Sequence, residues 1–496
     1  MEYGWPVLIA LMATPYIVRT LGPSAYGLLS IVGVTLGLFS VLDLGIGGAA
    51  TRQIAALFEA ERHEDINTVV STVLAFYLMI GAVGAMGIVL LTNTFVTTWL
   101  AVPPDLMATA RIAFYVSAPA FMVSLVLSTF TAIPRAMQRY DIASTAAVVL
   151  NTLTTLLTVV LLAAGQGLLA IVIAGLAINV AAIPVLVMIT RRTLPTLRVR
   201  ARFDPSTFRE LMTFGSYFLL SSVGVLILYQ ADKLLLGSFL GLGAVTFYVV
   251  PGALAQRLQG LTAAATNIVF PVSSALFESN AHAALLRLYR EGSRLVFAMV
   301  VALAVPLAVF AEPFLRHWMG AEFAARSWLA MVLLTATYAS LSATSMAWGI
   351  ANGSGRARIN AVFTLGIAAA NIVLFIWWVR PFGIPGAAAA YLVSAAVGAP
   401  LLIAYIERHV LKLSGVEFVR LLWRIGIVGV VQAALGLCFR IWTVNLWTTM
   451  GLMIVTALLF PLGYWTFGFM QVGDRRLVSL LLQRARGNTL GSAPEV

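Results

Sequence analysis

The chain is predicted to fold as an all-α polytopic membrane protein of about fourteen transmembrane helices. Three observations carry this expectation. Of the 496 residues, 61% are hydrophobic and only 10% are charged, and the mean hydropathy is +0.96. The apolar residues fall into separate blocks of roughly 18–25 residues, the length at which a helix crosses a hydrocarbon core of about 30 Å. In that medium the backbone must satisfy its own hydrogen bonds, which selects helices. The basic residues, finally, alternate in density from loop to loop.

The blocks place spans at 4–20, 27–50, 69–91, 112–133, 142–164, 168–190, 213–236, 245–273, 294–314, 327–350, 359–379, 385–406, 421–440 and 446–469. The first block reads as a true span rather than a cleavable signal peptide. With residue 1 placed on the cytoplasmic side, twenty-three of the 31 basic residues fall on that side and six on the other, as the positive-inside rule requires. Both termini are therefore expected in the cytoplasm. This loop placement also accounts for the net charge of +12 and the pI near 10.2, so no nucleic-acid partner is expected. No stretch is long and polar enough for a separate soluble domain. The single cysteine, Cys438, sits in an apolar block and has no internal partner.

The longest interior loop, 191–212, carries six arginines with Pro195 and Pro205. It reads as a basic linker lying against anionic membrane lipid. It separates an N-terminal lobe (1–190) from a C-terminal lobe (213–406), with 407–496 holding two extra helices and a tail. A short internal repeat supports two lobes: Leu21-Gly22-Pro23-Ser24-Ala25 follows span 1, and Leu240-Gly241-Leu242-Gly243-Ala244 follows span 7. Six spans lie between, so both copies share one orientation, the parallel type of transporter repeat.

Charges inside spans are informative because each costs several kcal/mol unless it meets water or a partner, about 3 kcal/mol at the low end. Arg257 lies thirteen residues into span 8, about 20 Å along the helix. Gln256, Gln259, Thr262, Thr266 and Asn267 accompany it at helical spacing, a polar stripe expected to face the bundle interior. Arg257 either lines a hydrophilic cavity for an anionic group or is held by a buried carboxylate or by carbonyls. Asp43 lies in the inner third of span 2, just before Gly45, Gly47 and Gly48, and has three open roles: pairing with Arg257, ion coupling, or capping a break in the helix. Arg19 at the end of span 1, and Asp232 with Lys233 near the end of span 7, occupy matching places in the two lobes. Snorkelling to the interface and cavity lining suit them equally. Arg52 reads as an ordinary positive-inside residue.

Pro15, Pro119, Pro184, Pro251 and Pro306 fall within spans and favour kinks. Trp99, Trp318 and Trp447 are expected to anchor the outer interface. The chain has no phosphate-loop motif, no HExxH and no cysteine pair, so no cofactor or metal is expected. His63, His282, His317 and His409 read as scattered, solvated loop residues. No paired loop carboxylates suggest a transferase site, so the chain is not expected to be an enzyme.

Two stretches carry a family resemblance. Thr14-Pro15-Tyr16-Ile17-Val18-Arg19-Thr20-Leu21-Gly22-Pro23 through Tyr26-Gly27-Leu28-Leu29, with Leu42-Asp43-Leu44-Gly45-Ile46-Gly47, resembles the polysaccharide transporter (Wzx-like) flippases of the multidrug/oligosaccharidyl-lipid/polysaccharide exporter superfamily. Asp232-Lys233-Leu234-Leu235-Leu236-Gly237, followed by Tyr248, is similar to that family's exit from span 7. Hydropathy extends the likeness over nearly the whole chain. One departure is at the start: members of that family carry a short basic segment before span 1, whereas this chain begins Met1-Glu2-Tyr3-Gly4. The resemblance implies two six-helix lobes with two additional C-terminal helices, and a central cationic cavity lined by spans 1, 2, 7 and 8, which hold Arg19, Asp43, Lys233 and Arg257. It implies transfer of a polyprenyl-diphosphate-linked oligosaccharide across the cytoplasmic membrane, with glycosyltransferases and a polymerase as pathway partners. A multidrug exporter of the same superfamily would instead want deep acidic groups for cationic drugs. A membrane polymerase would want a sizeable loop bearing catalytic carboxylates.

Overall fold

A computed structural model describes residues 4–198, 202–267, 269–414 and 416–466. Arg200 and the tail arginines Arg475, Arg476, Arg484 and Arg486 lie outside the described residues. Among those described, every regular element is helical: α1 (Gly4–Leu21), α2 (Pro23–Phe39), α3 (Ile46–Glu59), α4 (His63–Thr94), α5 (Met107–Ala136), α6 (Tyr140–Ala163), α7 (Leu168–Thr193), α8 (Pro205–Leu240) and α9 (Leu242–Thr266). The order continues with α10 (Val269–Glu278), α11 (His282–Val309), α12 (Ala311–Met319), α13 (Ala321–Ala343), α14 (Ser345–Gly353), α15 (Ala357–His409), α16 (Glu417–Phe439) and α17 (Leu446–Thr466). Among the described residues, thirteen segments are long and apolar enough to cross a membrane. One of them, α15, has 53 residues, about 80 Å of helix and far more than one crossing needs. It is two helices joined at Gly383, where φ is 60° and ψ is −138°. Expected spans 11 and 12 are these two arms, and the protein is an all-α polytopic membrane protein.

Several spans depart from straight rods. Span 2 is interrupted: α2 tightens into a 3-10 turn over Ser40–Asp43, Leu44 and Gly45 are left-handed (φ 52° and 74°), and α3 starts afresh. Span 8 divides into α9 and α10, and span 10 into α13 and α14. The linker is shorter than 191–212. α7 runs to Thr193, and α8 begins at Pro205 with Asp204 as its cap, the Asp204 carboxylate accepting from the Thr207 N–H at 2.8 Å. The Ser206 hydroxyl and that N–H pull the Asp204 carboxyl well below its usual range, to about 2. Asp-Pro is a helix-start signal that the dense arginines concealed. The remaining strap is docked on protein. Leu194 and Leu197 are buried, the Asn67 side chain donates to the Thr196 carbonyl (3.0 Å) and accepts from the Arg198 N–H (2.8 Å), and the Asp204 N–H donates to Thr72 Oγ1 (3.2 Å).

The described chain forms two compact units, Met1–Pro251 with Ala361–Ser394, and Gly252–Asn360 with Ala395–Val496. The first has a core in which Ile46, Ile54, Ile66, Phe76, Tyr77, Phe121, Phe130 and Ile133 of α3, α4 and α5 pack together, closed by Leu186, Leu194, Leu197 and Leu211. In the second, Leu422, Ile425 and Val428 of α16 meet Phe460 and Tyr464 of α17, with Phe297 and Val301 of α11 beside them. Polar ties tighten this unit. Gln432 donates to the Ala302 and Thr456 carbonyls at 3.1 and 2.9 Å, and buried Glu407 accepts from the Tyr289 hydroxyl (2.8 Å) and the Phe418 N–H (2.7 Å). Two expectations are corrected here. Trp318 is buried, 5.4 Å from the Phe314 ring, so it packs inside, whereas Trp99 and Trp447 are exposed as interface anchors should be. The histidines lie on helices: His63 and His282 open α4 and α11, His317 is in α12, and His409 ends α15 stacked on Tyr405.

Candidate functional site

The repeated Leu-Gly turns are structurally equivalent. α1 ends at Leu21 and α8 at Leu240, and the glycine that follows takes nearly the same backbone conformation, φ 79° and ψ 160° at Gly22, φ 84° and ψ 170° at Gly241. That region is open to glycine alone in practice. The next helix starts one residue later in both cases.

The two turns also pair with each other, and the pairing is reciprocal. Five residues beyond its glycine, Thr246 donates its hydroxyl to the Pro23 carbonyl at 2.6 Å. Five residues beyond the other glycine, Gly27 lies against the Leu242 carbonyl; a Cβ there would overlap the oxygen and lie 2.7 Å from the carbon. Pro23 and Leu242 are themselves the equivalent residues that follow Gly22 and Gly241. Between them a Cβ on Gly243 would be 3.7 Å from the Ser24 hydroxyl. This is the contact that two-fold related copies make, produced here within one chain.

The seam continues along α2 and α8. Gly237 fits against Ile31 and Leu100, Gly37 lies 3.4 Å (from an ideal Cβ) from the Gln230 amide, and Gly45 meets Gly215 so closely that a Cβ on Gly215 would sit 2.7 Å from the Leu44 carbonyl oxygen. Small residues at these points let the backbones approach. Gln53 of α3 adds a 2.9 Å hydrogen bond to Glu210 of α8.

Charged residues are set into this frame. Asp43, at the break in span 2, accepts a hydrogen bond from the Gly47 N–H at 3.1 Å and another from the Tyr77 hydroxyl. It therefore caps the new helix, occupying an N-terminus that favours an anion. Asp232 is buried and accepts from the Tyr248 hydroxyl at 2.6 Å and the Lys233 N–H at 2.8 Å, while Lys233 Nζ donates to Gln230 at 3.0 Å. Arg19 is exposed in the last turn of α1. Aligning the glycines shows that Arg19 and Lys233 are not equivalent: Arg19 stands three residues before Gly22, where the other repeat has Ser238, and Lys233 stands eight before Gly241.

Arg257 lies near the middle of the 37-residue apolar segment Leu242–Glu278. Its side chain is exposed, as are Gln256 and Asn267, with Gln259 half-buried. Among the described residues no side chain pairs with its guanidinium. The polar stripe is narrower than its residue types suggest, because Thr262 and Thr266 donate back to the Gln259 and Thr262 carbonyls at 2.9 Å and need no cavity. Tyr77, Gln230 and Thr246 were not singled out from sequence, and Tyr248 was noted only as part of the resemblance, not as the partner of Asp232. Their partners lie on other helices or a full turn away, and nothing in a linear pattern marks them.

Comparison with known proteins agrees with this architecture. The family described as polysaccharide biosynthesis protein matches residues 6–277. The membrane protein EpsK of Bacillus subtilis (strain 168) is 24% identical over 97% of this chain and 95% of its own length. A protein named as an O-antigen transporter in Shigella flexneri is 20% identical over 81% of this chain and 94% of its own. Among solved structures, the lipid II flippase MurJ in an inward closed conformation superposes with a TM-score of 0.74 at 12% identity, covering 94% of this chain and 99% of MurJ. An inward-facing multidrug transporter of the MATE family gives 0.70 at 16% identity, covering 82% and 95%. With more than half of its length matched by one family, this chain belongs to the polysaccharide biosynthesis protein family.

Proposed function

We propose that the protein is a flippase that moves a polyprenyl-diphosphate-linked oligosaccharide from the inner to the outer leaflet of the bacterial cytoplasmic membrane, for O-antigen, capsule or exopolysaccharide assembly. The observation that carries this reading is Arg257, an exposed guanidinium without a partner among the described residues, midway along a membrane-length segment. Such a group is tolerated at that depth only beside water. Its planar fork matches a diphosphate bidentately. A multidrug exporter selecting cations would gain nothing from it.

In this reading a wet cleft hides the diphosphate and glycan while the polyprenyl tail stays in lipid. Arg257 takes the diphosphate, and Gln256, Asn267, Arg19 and Lys233 offer further polar contacts along the path. The paired Leu-Gly turns form the outer closure, and they part when the cleft opens outward. Both termini are cytoplasmic, and glycosyltransferases and a polymerase act before and after the transfer. The test is reconstitution into vesicles with a fluorescent polyprenyl-diphosphate oligosaccharide in the inner leaflet. The label should become accessible to an impermeant reagent only when the protein is present. Unchanged accessibility, or drug hypersensitivity with intact polymer in a deletion strain, rejects the reading.

The role of Asp43 is separable. Asparagine still accepts the Gly47 and Tyr77 hydrogen bonds, so Asp43→Asn should melt close to wild type, whereas Asp43→Ala loses the cap and removes the acceptor of the Tyr77 hydroxyl, costing about 1–3 kcal/mol. If Asp43 also couples an ion, Asp43→Asn keeps its thermal midpoint but loses its response to an imposed proton or sodium gradient. An unchanged gradient response leaves Asp43 as a cap alone.

A further inference from the structure

α7 carries Arg191 and Arg192 in its last turn, and about two turns earlier it carries Pro184. Ile183, Pro184, Val187 and Met188 line, with the two arginines, an open cleft of about 520 Å³. Ile183 and Val187 rest partly on the core and form its floor, while Pro184 and Met188 are exposed at its edge. Both guanidinium groups are exposed, and among the described residues neither is engaged by a hydrogen bond or an ion pair. Residues 164–203 contain no aspartate or glutamate but carry Arg191, Arg192, Arg198, Arg200 and Arg202. The strap that follows is held by buried Leu194 and Leu197 and by Asn67, so the basic rim is positioned before any ligand arrives. An apolar trough on a membrane helix, capped by unpaired cations where that helix leaves the apolar layer, has the form of a lipid, with the chain below and the phosphate above.

We propose that this cleft binds an anionic diacyl phospholipid, its phosphate on Arg191 and Arg192 and one acyl chain along Ile183, Pro184, Val187 and Met188. A zwitterionic lipid brings a cation into the same basic rim and is disfavoured. The site is independent of the flipping reading, since it concerns a structural lipid on the outside of the first unit.

The test uses the full chain, purified and delipidated in a mild detergent, titrated with phosphatidylglycerol or phosphatidylcholine and read by native mass spectrometry. Wild type should retain phosphatidylglycerol in preference to phosphatidylcholine. Arg191→Gln with Arg192→Gln should weaken phosphatidylglycerol about 30-fold, at about 1 kcal/mol per basic residue. Val187→Trp, which keeps both charges and fills the trough, should also lose it, and it carries the test alone if the double variant does not insert. Equal retention of the two lipids by wild type, or wild-type retention of phosphatidylglycerol by either folded variant, overturns the proposal.

Discussion

Arg257→Ala is expected to lower transport of the lipid-linked oligosaccharide at least tenfold while the protein inserts and melts as wild type does. The side chain is exposed and, among the described residues, unpaired, so truncation removes no packing and leaves no buried partner stranded. In the proposed reading, what it removes is a charge-assisted hydrogen bond to a desolvated diphosphate, worth about 1.5–3 kcal/mol, or roughly a 10- to 150-fold change. Arg257→Lys should fall between the two, since it keeps the charge but not the bidentate fork. Vesicle flipping gives the rate, and complementation of a flippase-null strain gives the cellular consequence. Full complementation by Arg257→Ala would remove this residue from the mechanism. Loss of insertion would show instead that the guanidinium supports the fold.

Gly27→Val is expected to be nearly as severe, by a different route. A Cβ at residue 27 cannot coexist with the Leu242 carbonyl at the present helix separation, and it also comes within 3.2 Å of the Thr246 hydroxyl. Either the helices part or the side chain is strained, an overpacking cost of about 1–3 kcal/mol set against the conformation in which the two turns meet. A two-state transporter loses rate when one of its states is depopulated, and 2 kcal/mol corresponds to about a 30-fold shift. Gly33→Val is the control, because nothing lies within 4 Å of a Cβ there. Thr246→Val, which removes only the bond to Pro23, should cost about 0.5–1.5 kcal/mol. Closure can be read directly. With Cys438, which is exposed, changed to serine, cysteines at residues 24 and 243 should form a disulfide that stops transport until reduced. Gly27→Val should lower its yield. Wild-type transport together with wild-type cross-linking in Gly27→Val would show that the contact is incidental.

The architecture was legible to different depths. Transfer energetics are local and additive, so hydropathy alone located the crossings, including the two arms of α15 that meet at Gly383 without an intervening loop. The Leu-Gly repeat was visible as five letters, and its shared backbone conformation confirms that the letters mark a common turn. Asp43 could be placed beside a weakened helix but not assigned, because its tyrosine partner is 34 residues away on another helix. The linker was misjudged in length, and its docking onto protein was not visible. Its arginines suggested a segment lying on lipid, while two leucines and Asn67 dock it onto protein. Trp318 was misplaced for a related reason: an aromatic residue near a span end suits an interface or a core equally, and only its neighbours decide.

By itself, then, the sequence determined that this is a helical membrane protein, which segments are long and apolar enough to cross, and which turns repeat. Each of these follows from the energy of moving one residue or one short segment out of water. Tertiary structure alone decided that the two repeated turns clasp each other, that Gly27, Gly45 and Gly215 are required by backbone approach, and that Asp43 and Asp232 are held by Tyr77 and Tyr248. Those outcomes depend on the fit of surfaces brought together from distant parts of the chain, and no property of a residue taken singly encodes a fit.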